Sequence, residues 1–165
     1  MKRLLVSVLF LSALIWCACG SGGSSTEGNQ ERPRSMIGQA KASDGKGIGE
    51  IRNVELTDPL DDGMVKRGRA IVDMKCAACH RLNDMRVVGP GFQGVTNKRR
   101  PEWIMNMITN VDVMLDQDPV ARQLLEECLT RMPNQNVSIG DARDILEFLR
   151  QNDLDTTGEK DKAIL

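Results

Sequence analysis

The chain is 165 residues long, with a formal net charge of −1, 41% hydrophobic residues and 3% aromatic ones. That length allows one domain of ordinary size plus appendages and excludes a second full core. The mild acidity gives no basic surface for nucleic acid, and a body whose aromatics are Phe92, Trp103 and Phe148 needs more than side-chain packing to fill its core.

Residues 1–18 read as an export signal: Lys2 and Arg3, an apolar segment from Leu4 to about Trp16, then small residues. This segment is too short for a membrane span, and export leads to an oxidising compartment. Cys19 follows the small Ala18 and precedes Gly-Ser-Gly-Gly-Ser-Ser, a pattern that resembles a bacterial lipoprotein cleavage site with its flexible tether. Cys19 is therefore the expected lipidated residue. Cys17, with Leu14 before it, is the alternative, and plain secretion or an uncleaved anchor is a third reading.

Residues 19–58 form a linker rich in Gly, Ser and charge. Within it, residues 51–57 alternate loosely and suggest an extended segment lying on the domain. The domain itself covers residues 59–155 and is all-α, with four helical segments; residues 156–165 are expected to be a flexible tail. The first helix, from about Asp62 to Ala78, puts Gly68, Ile71, Val72 and Lys75 on one face, and a glycine there implies the close approach of another helix. The second starts at Pro101 and carries Trp103, Ile104, Met107 and Ile108. The third has Asp118 as its cap before Pro119, with Cys128 as a small buried residue on its apolar face, and stops before Pro133. The fourth opens on Ser138-Ile139-Gly140-Asp141, a capping-box pattern, and sets Ala142, Ile145, Leu146 and Leu149 on one face.

The chemistry lies in Cys76-Ala77-Ala78-Cys79-His80, which contains the only histidine of the chain. Cys-x-x-Cys-His is the attachment pattern of c-type haem. Two thiols three positions apart can each bond one vinyl group of the porphyrin, and the adjacent imidazole then lies under the iron. A redox-active cysteine pair would be expected beside a βαβ unit, and none is predicted. Zinc would want about four ligands, and beyond the motif the domain adds only Cys128 and carboxylates.

With these residues in view, residues 60–152 resemble class I monohaem cytochrome c, a small helical electron carrier. The resemblance implies one covalent haem c, thioethers at Cys76 and Cys79, and His80 as the proximal iron ligand. It also implies that Gly89-Pro90 supplies the carbonyl of Pro90 to His80, and that Trp103 donates its indole N–H to a haem propionate. Gly68 and Phe148 resemble the family's contact between first and last helices. A second histidine ligand is impossible within one monomer, so methionine is the candidate for the distal position. Met132, followed by Pro133 between two predicted helices, occupies the segment where the family carries its axial methionine; Met114 and an open or other sixth position are the alternatives. The run Lys98-Arg99-Arg100 is a solvated loop or, more sharply, a docking patch for an acidic redox partner.

A narrower resemblance adds a role. The stretches MKCAACHRLNDMRVVGPGF, PEWIMNMITNVD, LLEECLTRMPNQN and DARDILEFL are similar to small cytochromes c associated with nitrous-oxide reductase clusters in some bacteria. The implied protein is not an enzyme but a carrier of single electrons, lipid-anchored on the periplasmic side of a bacterial membrane. Its implied partners are a quinol-oxidising donor and a periplasmic copper reductase. The alternatives are a cytochrome subunit of a terminal oxidase or reductase complex, and a haem enzyme or sensor with an open sixth position.

Overall fold

Asp61 begins the helical part of the chain: its carboxylate accepts the Met64 N–H at 2.8 Å, and α1 (Asp62–Lys75) follows. The structure is a computed structural model that describes residues 44–164. The expected leader, with Cys17 and Cys19, and the first part of the linker lie outside the described residues. After α1 come α2 (Val95–Lys98), α3 (Pro101–Thr109), α4 (Val111–Gln117), α5 (Pro119–Cys128) and α6 (Ile139–Thr157), and a single 3-10 turn closes the fold at Lys162–Ile164. The described residues contain no strand, so the all-α class holds, with six helices in place of four. None of these helices is long and apolar enough to cross a membrane.

The packing of α1 on α6 sets the frame. Gly68 is buried, and a Cβ there would run into the backbone carbonyl of Asp144 in α6. Arg67 reinforces the crossing with a forked pair of hydrogen bonds to Asp144 at 2.7 and 2.8 Å, and the Arg69 guanidinium lies 5.4 Å above the Phe148 ring. On α6, Ala142, Ile145, Leu146, Phe148 and Leu149 are buried on the predicted face, joined in the core by Val72, Ile104 and Met105. Ser138 caps the helix by accepting the Asp141 N–H at 3.0 Å, and Gly158 ends it at φ 76°, a conformation glycine adopts without strain.

Four boundaries differ from the sequence reading. α1 stops at Lys75, three residues short of Ala78, because the chain tightens there: the Ala77 N–H returns to Val72, and the N–H groups of Cys79 and His80 both reach Cys76. The linker does not run to residue 58. Ile51 is buried, the side chain of Asn106 bonds both its N–H and its carbonyl, and the Ile48 N–H donates to the sulfur of Met114 at 3.0 Å. The extended segment is thus part of the folded body. The tail is held as well, since α6 continues to Thr157 and Asp161, buried, makes a two-oxygen ion pair with Arg150. Finally, α4 is an additional helix between the predicted second and third ones, and its seven residues between Asn110 and Asp118 are too few to show a helical period in the sequence.

Candidate haem site

Cys76, Cys79 and His80 share one tight turn at the end of α1, where the N–H groups of Cys79 and His80 reach the Cys76 carbonyl at 3.1 and 2.9 Å. From His80 the chain makes a small excursion and returns. His80 and Arg86 pair as an isolated antiparallel bridge, and the Gly89 N–H donates back to the Cys79 carbonyl at 3.0 Å. This return places the Pro90 carbonyl oxygen 2.7 Å from Nδ1 of His80. Gly89 is needed for the approach, because a Cβ on it would collide with the imidazole ring. Phe92 stacks on that ring, with centroids 4.6 Å apart and planes 11° from parallel.

The electrostatics follow from this enclosure. Burial pulls His80 below the ordinary imidazole range, with the Pro90 carbonyl opposing. The ring is therefore neutral at pH 7, and the carbonyl beside Nδ1 assigns the proton to that nitrogen. Nε2 is left with a bare lone pair, the form a metal requires. Burial pushes the Cys76 thiol up, Lys75 acting against it. Cys76 and Cys79 are free thiols in the same turn, not a disulfide.

The methionine segment is fixed from two sides. Residues 129–138 connect α5 to α6, and Met132 within them is half-buried against the core. Its neighbour Arg131 reaches Asp116 of α4 at 2.9 Å. On the other side Lys75, the residue before the cysteine motif, donates to the Gln135 carbonyl at 3.1 Å. Met114 has a different fate: it is fully buried and its sulfur already accepts the Ile48 N–H.

A model of the cytochrome c family matches residues 65–153, more than half the chain. The chain belongs to the cytochrome c family. Among solved structures, cytochrome c from Rhodothermus marinus is 37% identical and superposes with a TM-score of 0.65, over 68% of this chain and 96% of that one. An engineered form of that protein, also 37% identical, superposes at 0.63 over 66% and 94%. The engineered form bound to a carbene intermediate is 38% identical, with a TM-score of 0.60 over the same shares. A comparison with curated proteins gave no match.

As a member of this family the cytochrome carries haem c covalently, and the local residues fit that group. The thiols are unpaired, the lone imidazole presents a free Nε2, and glycine stands where a side chain would displace the ring. Leu82, Phe92, Val95, Leu124 and Leu125 sit at the edge of the core half-buried, leaving apolar surface for a macrocycle to cover. Cys76 and Cys79 would carry the thioethers and His80 the iron.

At three expected positions the structure shows other surroundings. The indole N–H of Trp103 donates to Asp118 at 3.1 Å, a partner other than the expected propionate. Asp118 caps α5 through the same oxygen, accepting from Val120 and Ala121, and burial of this carboxylate explains why it recruits the indole. Cys128 is half-buried in the last turn of α5 and not fully interior. In the basic run, Arg99 lies 5.4 Å over the Trp103 ring and Arg100 is 3.8 Å from Glu102, so two of its three charges are engaged by neighbouring side chains while staying partly exposed. Sequence reading did not single out Phe92, Lys75 or Arg86 as site residues. An aromatic two positions after Pro90 was a usable signal for Phe92; the two cations had none.

Proposed function

We propose that this cytochrome is a single-electron carrier whose iron is closed by His80 on one side and Met132 on the other. When bound, the haem supplies a reversible one-electron couple. The observation that carries the reading is the distribution of methionines. Met105 and Met114 are core, Met85 is 56% exposed on the proximal loop, and Met107 faces the core from within α3. Met132 is half-buried on the segment between α5 and α6, which is tied down on either side of it. Closure of both axial positions leaves no place for a substrate, which favours a carrier over a peroxidase or a ligand sensor. The chain's own task is then to hold a neutral imidazole at fixed tilt, keep water from it, and keep the thioether sulfur loci in register with α1.

The finer reading places the cytochrome on the periplasmic side of a bacterial membrane, held by a lipid on Cys19. There it passes electrons from a quinol-oxidising donor toward a copper reductase of the nitrous-oxide type. Sequence similarity over the four stretches quoted above supports it. The test is to reduce the purified cytochrome, add purified nitrous-oxide reductase and then nitrous oxide, and follow reoxidation optically. Reoxidation that requires both enzyme and gas is expected. A cytochrome that stays reduced would remove this pathway assignment while leaving the carrier reading intact.

A further inference from the structure

We infer that Arg86 is a positioning residue for the distal ligand, clasping the loop of His80 to the segment that carries Met132. This rests on the reading of Met132 as the distal ligand. The backbone of Arg86 is paired with His80 itself. Its guanidinium reaches across to the end of α5, donating to the Glu127 carbonyl at 2.8 Å and to the Glu127 carboxylate at 3.1 Å. Glu127 lies in the last turn of α5, where carbonyls have no partner inside the helix and where the helix dipole favours a cation. Five residues further on is Met132. One side chain therefore links the loop of His80 to the helix end from which the Met132 segment departs.

A second link runs in parallel. Lys75, next to Cys76, holds the Gln135 carbonyl three residues after Met132 at 3.1 Å. The two cations hold the chain before and after the methionine, Arg86 at the end of α5 and Lys75 at Gln135; Lys75 directly precedes the Cys-x-x-Cys-His turn and Arg86 is paired with its histidine. Each acceptor is a backbone carbonyl, so the contact fixes chain position and does more than pair charges. Both guanidinium and carboxylate are nearly half exposed, at 45% and 43%, so the charge pairing itself contributes little. The position-fixing hydrogen bond to the carbonyl is the larger part.

An exogenous ligand that competes with Met132 reads this function, because it binds in proportion to how readily the methionine lets go. The measurement is the dissociation constant of imidazole for the oxidised holoprotein, by absorption titration, alongside the melting temperature. R86A should bind imidazole about three- to tenfold more tightly than wild type. E127Q, which keeps the carbonyl, should stay near wild type, and R86K should recover part of the loss. The double variant K75M/R86A should exceed either single one. A purely structural role would lower the melting temperature without moving the imidazole constant. An R86A constant within twofold of wild type would overturn the clasp. M132A separates the two claims: it should bind imidazole far more tightly than any clasp variant. If M132A matches wild type, the ligand assignment fails; if it tightens and R86A does not, only the clasp fails.

Discussion

Asn106 shows how one residue can decide where a domain begins. It is fully buried in α3, donates to the carbonyls of Lys46 and Ile51 at 3.0 and 2.9 Å, and accepts the Ile51 N–H at 3.2 Å. A segment with weak alternation and no partner strand is held to α3 by three hydrogen bonds of this one amide, with the Ile48 N–H on the Met114 sulfur and Thr57 on Glu147 as further ties. N106A should cost about 2–3 kcal/mol, because it leaves buried backbone groups without partners. Denaturant unfolding of the holoprotein would show this as a lower midpoint, and a change below about 0.5 kcal/mol, the size of an ordinary surface substitution, would mean that the segment is not tied through Asn106. The site residues differ in how legible they were. Cys76, Cys79 and His80 announce themselves because covalent haem attachment needs two thiols and an imidazole close together in the chain, so the chemistry is written within five positions. Asn106, Lys75 and Arg86 act on partners 41 to 60 positions away, and a polar side chain with a distant partner looks the same in sequence as a solvated one.

Among the elements, the contact of α1 with α6 carries the frame, and Gly68 sits where the two helices come closest. G68A would press a methyl against the Asp144 carbonyl, which is backbone and cannot step aside. Overpacking of this kind costs about 1–3 kcal/mol, so G68A should melt earlier in spite of alanine's better helix propensity; a stabilised G68A would contradict the close crossing. α6 also contains the feature least visible beforehand. Glu147, at 0% exposure, accepts from Thr57, the Asp61 N–H, Arg143 and Arg150, and Arg150 in turn grips Asp161. In sequence, Arg143, Glu147 and Arg150 have the i,i+4 and i,i+3 spacing of an exposed helix face, so nothing marked them as interior. Burial alone would raise the Glu147 carboxyl, but Thr57, Arg143, Asp61 and Arg150 together outweigh it and hold the group below the usual carboxylate range. Its contribution is therefore complete above the unfolded carboxylate range of about 4.3 and is lost as the pH falls through the lower folded value. Wild type should lose stability steeply below about pH 4.5, while E147Q, less stable at pH 7, should show a shallower acid slope. Parallel slopes in urea melts across pH 3–7 would contradict the role of Glu147.

At the scale of the whole molecule, the sequence was right about class and family and short of the mark on extent. The helical periods of α1, α3, α5 and α6 were strong enough to read, whereas α2 and α4, of four and seven residues, were not. Both ends of the folded body were placed too far inward, since the residues that hold them, Asn106 and Arg150, lie elsewhere in the chain. The poverty in aromatics has a double answer. The haem of this family brings its own apolar surface, and among the described residues the largest fully buried side chain is the ion-paired Arg150.

The central claim is a covalent haem whose iron is closed by His80 and Met132, and the most direct test is the optical spectrum of the purified holoprotein, oxidised and reduced, with and without carbon monoxide. The account predicts a haem c spectrum that persists after denaturation, a sulfur-to-iron charge-transfer band in the oxidised form that disappears in M132A, and no shift of the reduced form with carbon monoxide. A reduced form that binds carbon monoxide at once, with no sulfur band to lose, would mean an open iron and would contradict the carrier.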